Sequence, residues 1–352
     1  MSLFKIRGEL SSSISLVLGI GGVLIVLIGW ALLTMGTDPV VSSAILPNPW
    51  RVFTSYGDLY RDNEIIKNTF RSLGINLAGY LEAILLSIPL GFLIGLFPLF
   101  RGGFQRQVES IRYIPLTAVT GLFIVWFGVG TDMKVHFLAF GIMIYLLPVV
   151  IQRIDEVDDV YLKTVYTLGA SPWQTIRSVY LPSVLSRLSD DIRVLTAISW
   201  TYIIVAENID SSQGGLGALI WRVGQRQGRM DKVFALLFLI VLIGVLQDRI
   251  FARTDRQLFP FKTPALRNLE RRSGQPSTTD MIFQYLQQMS LWILLGIYFM
   301  LAINDMTQIL FAGKVLEDLF GDTVWAIHTI MLTILGYQVY HWRNRKALAP
   351  SV

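Results

Sequence analysis

The chain has 352 residues, 53% of them hydrophobic and 16% charged, with a formal net charge of +5 and no cysteine. Soluble domains carry about 25% charged residues, so this composition excludes an ordinary soluble chain. The lack of cysteine excludes a disulfide framework, a thiolate metal site and a cysteine nucleophile, and basic residues that flank apolar blocks argue against a nucleic-acid partner.

Eight apolar blocks approach the ~20 residues that a helix needs to cross hydrocarbon: 14–35, 73–97, 113–129, 136–151, 192–208, 233–251, 283–303 and 323–340. Their unbroken runs predict helices, since barrel strands would alternate over about ten residues. Lys5 and Arg7 precede the first block as they would in a signal peptide. That block is longer than the roughly 7–15 apolar residues of a signal core, and no small-residue cleavage pattern follows, so it reads as a retained span. The loop 36–71 has the turn formers Asp38-Pro39 and Pro47-Asn48-Pro49 and is expected to carry a short surface helix. The second block contains Glu82, and the fourth is short and bounded by charge. Residues 152–191 make a long inner loop with a helical pattern, and long ordered loops are usually functional. Residues 262–280, with Pro264, Gly274, Pro276 and several basic groups, have linker composition. They set six spans apart from a final pair, whose connecting loop carries Asn304, Asp305, Lys314, Glu317 and Asp318.

With the N-terminus inside, the inner segments hold twice as many Lys and Arg as the outer ones, which places both termini in the cytoplasm. The expected architecture is all-α, a polytopic transmembrane helical bundle. Its divisions are 1–60, with the first span and outer loop; 61–261, the core with inner loop 153–191; the linker 262–280; and the hairpin 281–352.

The inner loop reads TLGASPWQTIRSVYLPSVLSRL from Thr167 to Leu188. Gly169 supplies a sharp turn, where a residue without Cβ costs least. Ser171 is an N-cap with Pro172 at the first helical position, and Leu181-Pro182 is expected to end or kink the helix. The product is a helix–turn–helix on the inner face that offers Leu162, Val165, Leu168 and Trp173 outward. On the residues alone two readings stand: a docking surface for a protein outside the bilayer, or an interfacial amphipathic pair.

At these residues the chain resembles ABC importer permeases. Their inner loop carries Glu-Ala-Ala, three residues, Gly, nine residues, then Ile-x-Leu-Pro. Here Gly169, the nine residues 170–178 and Val179-Tyr180-Leu181-Pro182 follow that pattern, while Lys163-Thr164-Val165 stands in place of Glu-Ala-Ala. Over roughly residues 60–261 the chain is similar to one branch, the nitrate/bicarbonate/sulfonate/taurine-type permeases, or binding-protein-dependent transport system inner membrane components. The similarity rests on Ile114-Pro115 with Trp126-Phe127-Gly128-Val129-Gly130, on Ala206-Glu207 with Gly214-Gly215-Leu216-Gly217, and on Asp248-Arg249 through Phe259-Pro260-Phe261. The final pair of spans lies outside it.

The resemblance implies a six-span importer-type core in the bacterial inner membrane, plus a C-terminal two-span hairpin. It implies as partners a second permease copy or paralogue, ABC ATPase subunits and an extracytoplasmic substrate-binding protein. The chain lacks Gly-x-x-x-x-Gly-Lys-Ser/Thr, so it is expected to be no enzyme and to bind no cofactor, with ATP and Mg on the ATPase partners. The solute is expected to be small, with nitrate, bicarbonate or a sulfonate as candidate anions. The implied ATPase-coupling residues are Leu162, Lys163, Val165, Leu168, Gly169, Ala170, Ser171, Trp173, Leu181 and Pro182. The implied path or gate residues are Glu82, Trp126, Glu207, Gly215 and Gly217.

Ionisable groups in spans are costly and invite functional readings. Glu82 either makes a buried structural hydrogen bond or lines the path. Glu207, at the outer end of the fifth span with Asp210 just beyond, either braces the outer gate or a contact between permease subunits, or reaches interfacial water. Arg222, Arg226, Arg229 and Lys232, with Lys134, either form an electropositive vestibule or serve docking and headgroup contact. His136, His328 and His341 are scattered without metal-ligand spacing, and His136 and His341 are expected at solvated interfaces. The last two spans are read as peripheral packing, a contact for a further membrane partner, or a regulatory addition. A permease competes with a non-transporting scaffold derived from one, and then with a channel, which the long inner loop disfavours.

Overall fold

The computed structural model describes residues 12–36, 39–262, 278–310 and 312–347, and every regular element among them is helical. Most of the expected linker, including Pro264, Gly274 and Pro276, lies outside the described residues, as do Lys5 and Arg7 and the side chain of His341. In chain order the helices are α1 (Ser12–Thr34), α2 (Pro49–Asp62), α3 (Ile65–Leu96), α4 (Pro98–Ile111), α5 (Thr120–Phe127) and α6 (Thr131–Asp155). There follow α7 (Asp159–Thr167), α8 (Pro172–Thr175), α9 (Leu181–Ile209), α10 (Leu216–Trp221), α11 (Met230–Leu258), α12 (Thr278–Thr307), α13 (Val315–Phe320) and α14 (Val324–Ala347). Seven helical stretches among the described residues are long and apolar enough to cross a membrane.

The block 113–129 is corrected. It is no straight span but a 3-10 turn, Leu116–Val119, running into the short α5. At about 1.5 Å per residue these twelve positions cover about 18 Å, against roughly 30 Å of hydrocarbon. Pro115 disfavours helix at Ile114 before it, and Gly128, with φ +75°, closes α5 by donating its N–H to the Ile124 carbonyl at 2.9 Å. The stretch joins α4 across a 99° bend, so the two together make one broken span or a re-entrant loop.

The chain divides into two compact units: the residues up to Ile65 with Leu219–Val241, and Ile66–Ala218 with the residues from Leu242 onward. In the first unit, α2 is the expected surface helix. Asn48 caps it by accepting from the Arg51 N–H, Pro49 opens it, and Val52, Ser55 and Leu59 turn inward. Trp30, near the end of α1, donates its indole N–H to the Pro47 carbonyl at 2.9 Å and packs its ring 5.7 Å from that of Phe238.

In the second unit the core gathers on α6, whose Leu138, Ile142, Leu146, Val150 and Ile154 pack with Tyr80 and Ala83 of α3 and Val184 and Leu188 of α9. Small residues let the two backbones approach: a Cβ on Gly91 would fall 2.4 Å from Val150, and one on Gly95 2.7 Å from Ile154. At the end of α6, Arg153 holds Asp191 of α9 in a two-bond fork at 2.8 Å, and Glu156 accepts from both Arg153 and Arg187. The Glu156 carboxyl sits below its ordinary value because the Arg153 guanidinium bonds it, which outweighs the opposing effect of burial.

The final pair, α12 and α14, closes on itself through Tyr298, Leu316 and Ile327 and packs against Leu77 of α3. Asp305 accepts the first free amides of α13, from Val315 at 2.7 Å and Leu316 at 2.8 Å.

Candidate functional site

The inner loop is built by its caps. Asp158 accepts from the Val160 N–H at 2.9 Å and starts α7. Gly169, at φ +74°, turns the chain. Ser171 then opens α8 with a reciprocal box: the Ser171 N–H donates to Gln174 Oε1 at 2.7 Å and the Gln174 N–H to Ser171 Oγ at 3.3 Å. Leu168 is 81% exposed and Trp173 70%, and Tyr161 and Tyr166 stand out beside them. Leu162, by contrast, packs against the core formed by α3, α6 and α9, and Val165 is half-buried. Lys163 is exposed and Ala170 half-buried. Tyr161 and Tyr166 join this exposed set without having been expected in it; their recurrence near Val160 on a short helix is the signal in the sequence.

Of the two effects expected of Leu181-Pro182, an end or a kink, the helix end does not occur. The helix runs unbroken from Pro172 to Ile209, through a π turn at Ile176–Tyr180 in which Leu181 N–H reaches the Ile176 carbonyl. A proline ring clashes with the carbonyl four residues back in an α-helix, and widening the turn relieves that clash without breaking the helix. Helix α8 and the span α9 are therefore one mechanical piece.

The second constellation surrounds Glu207, whose side chain is wholly buried. Ser72 Oγ donates to Glu207 Oε1 at 2.6 Å and accepts from the Leu216 N–H at 2.7 Å. The Gly217 N–H donates to Glu207 Oε2 at 2.7 Å, the Gly215 N–H to Asn68 Oδ1 at 2.8 Å, and Arg71 to the Gln213 carbonyl at 2.5 Å. Gly215 has φ +106°, and a Cβ there would lie 2.3 Å from the Glu207 carboxylate, so only glycine admits the close approach. A Cβ on Gly217 would fall 2.7 Å from the Ile204 carbonyl. The turn 211–216 is thus sewn to α3 and α9 by a buried carboxylate and two short polar side chains.

Lys134 is corrected. It is 0% exposed and paired with Asp210 at 3.4 Å, so it is unavailable to an outer vestibule. At that distance the contact is a loose one, and neither Lys134 Nζ nor Asp210 Oδ2 makes a well-aligned hydrogen bond to the protein. Burial pushes the Asp210 carboxyl up, but the Ser212 hydroxyl and amide and the Lys134 ammonium together hold it below its ordinary value. In the other unit, Lys232 is buried against Asn63, and Arg229 is paired with Asp58 and Asp231. Of the proposed basic cluster, Arg226 remains exposed and Arg222 half-buried.

Glu82 meets His136, whose Nδ1 lies 2.8 Å from Oε1 and 2.9 Å from Oε2, and the imidazole stacks 4.3 Å from the Phe127 ring. His136 is therefore in hydrogen-bond contact with a carboxylate rather than a purely solvated interfacial group. The pair borders a cleft of about 340 Å³ that also touches Asp132, Asp322 and Trp325. Trp126 on α5 is exposed, with its ring 5.7 Å from Phe123. Among the described residues no group of three His, Cys, Asp or Glu side chains could hold a metal ion.

Comparison with known proteins accords with this geometry. The pattern of the family described as "Binding-protein-dependent transport system inner membrane component" matches residues 87–259, which contain α9, the capped loop and Glu207. A relative from Methanocaldococcus jannaschii named as an ABC transporter permease protein is 31% identical over 185 residues, 53% of this chain and 69% of that protein. The taurine transport system permease protein TauC of Escherichia coli is 26% identical over 262 residues, 73% of this chain and 93% of that protein. A chain of the MetNI methionine ABC transporter, solved in inward-facing conformations, superposes with a TM-score of 0.50 over 55% of this chain and 95% of that one; at 20% identity this shows a shared fold alone. The chain belongs to the binding-protein-dependent transport system inner membrane components and is a multi-pass permease subunit of an ABC importer.

Proposed function

We propose that the chain is half of an ATP-driven importer of a small anionic solute such as a sulfonate, in a bacterial inner membrane with both termini cytoplasmic. A second copy or a paralogue completes the path, ATPase subunits that bind ATP and Mg dock on the loop 153–191, and an extracytoplasmic binding protein delivers the solute. The observation that carries this reading is the exposed set Tyr161, Tyr166 and Leu168 of α7 and its end, beside Trp173 on α8, which a capping box opens and which is continuous with α9. A helix whose aromatic face is presented to water suits a groove on a soluble partner. Because α8 and α9 are one rod, closure of the ATPases against α8 would rotate α9 and, with it, Glu207 and the turn it holds. The solute class rests on the taurine permease among the relatives. Lys163-Thr164-Val165 would then make an apolar and basic contact in place of an acidic one.

The test is Trp173→Glu in the full chain, co-expressed with its ATPase. The variant is expected to insert normally and to lose ATPase co-purification and solute uptake together. Normal uptake would refute the docking role. ATPase retained by the unaltered chain without any solute-stimulated hydrolysis would favour the non-transporting scaffold instead.

A further inference from the structure

Helix α2 has three faces, and only two are explained by the protein. At about 100° per residue its positions fall into three sectors, with Trp50 and Arg61 meeting at the edge between the aromatic and polar ones. Val52, Ser55, Leu59 and Asn63 turn inward. Arg51, Thr54, Asp58 and Arg61 form a polar face, on which Asp58 pairs with Arg229. Trp50, Phe53 and Tyr60 form the third, with Gly57 between them, and are 67%, 67% and 65% exposed. Trp50 and Phe53 lie with ring centroids 6.0 Å apart. Large aromatics in one stripe beside a charged stripe make an arrangement for a boundary between apolar and aqueous media.

The level at which α2 lies is fixed by its inward face. Tyr56 Oη–H donates to the Ala235 carbonyl at 2.7 Å, and Lys232 Nζ donates to Asn63 Oδ1 at 2.8 Å. Both contacts are to the opening turns of α11, where Asp231 and Lys232 precede the apolar run. The chain enters α2 from Pro47, whose carbonyl is bonded by Trp30 four residues from the end of α1. So α2 is fastened where two spans of this unit leave the hydrocarbon.

We propose that α2 is an interfacial membrane helix whose Trp50–Phe53–Tyr60 face is seated in the lipid headgroup–acyl boundary, with Arg51, Thr54 and Arg61 on the aqueous side. The partner is the lipid surface itself, continuous with the lipid-facing sides of α1 and α11, whose Val26, Leu32, Leu237 and Val241 are exposed in the same unit. Trp and Tyr are favoured at that depth because the ring body is apolar and its polar atom stays wet. The helix would brace the outer ends of α1 and α11 against tilting within the bilayer.

The chain has no cysteine, so single-cysteine variants of the full protein carry a nitroxide without background. Phe53→Cys and Tyr60→Cys report the aromatic face, and Thr54→Cys and Arg61→Cys the polar face. Trp50→Cys replaces either aromatic variant that fails to express. In phosphatidylethanolamine/phosphatidylglycerol nanodiscs, power saturation should give labels at 53 and 60 a several-fold higher ratio of oxygen to nickel-chelate accessibility than labels at 54 and 61. Equal ratios on the two faces would overturn the proposal and leave the stripe to a soluble protein. Labels at 53 and 60 shielded from both reagents would overturn it in favour of a protein cover such as a second copy.

Discussion

Lys134 and Asp210 show what a residue-scale reading of charge can miss. A lysine at the start of an apolar block looks like a boundary marker, and its pairing partner lies 76 positions along the chain. Once both are buried, the energetics invert: a broken buried pair costs about 3–5 kcal/mol because one charge is left uncompensated. We expect Lys134→Met to lower thermal stability in detergent by about that amount, and Lys134→Met with Asp210→Asn to recover much of the loss. A double variant no more stable than the single one would show that the pair is not the cause. Glu156 behaves differently, being half-exposed. Its carboxyl is held below the ordinary 4.5 by Arg153, so its contribution is complete above that value and is lost as pH falls through the lower folded value. Protection of the amides in residues 153–191, taken relative to their intrinsic exchange rates at each pH, should therefore fall on acidification, and Glu156→Gln should remove most of that fall. A pH response unaltered by Glu156→Gln would assign it elsewhere. Glu207 was visible in the sequence as a carboxylate at a span end; Ser72, which bonds it, and Asn68, which holds Gly215, were not, because short polar residues just ahead of an apolar block look like ordinary flanking residues.

At the scale of elements, the apolar blocks were legible because backbone groups in hydrocarbon must be satisfied within the segment, which demands long helices. Two elements departed from that reading for local reasons. Pro115 and Gly128 confine α5 to two turns, and hydropathy counts apolar residues without registering breakers. Pro182 was expected to end or kink its helix; the helix continues, and the π turn at Ile176–Tyr180 absorbs the ring. The wider turn has a phase consequence, since one extra residue rotates everything before it by about 100° relative to a regular helix. The face carrying Trp173 is therefore aimed by Pro182. Replacing Pro182→Ala removes the clash that favours the π turn. We expect the variant to insert and fold but to couple poorly, with solute-stimulated ATP hydrolysis reduced several-fold at unchanged ATPase binding stoichiometry. Full coupling in this variant would mean that the π turn is incidental to the aim of the loop.

Across the whole molecule, the core matching residues 87–259 stops where the extra pair has yet to begin. The sequence marked that pair as separate without saying what it touches, because membrane-facing and helix-facing residues are equally apolar. Its contact lies along α3. Phe320 meets Phe70 edge-on at 5.3 Å, Lys67 pairs with Asp318, and Thr323 sits against Gly74 so closely that a Cβ there would fall 2.2 Å from its hydroxyl oxygen. Gly74 thus sets the distance between the hairpin and the core, in the manner of small residues at membrane helix contacts. Gly74→Leu should push α13 and the start of α14 off α3 while leaving the α3–α6 packing at Gly91 and Gly95 untouched. Proteolysis in nanodiscs would read this as faster cleavage around 308–314, with the core fragment as stable as before. Equal cleavage rates in the two proteins would show that the hairpin is held by its own Tyr298–Leu316–Ile327 cluster and needs no seat on α3. If instead the core fragment lost stability with the hairpin, the pair would be part of the permease fold rather than a module clipped to its side.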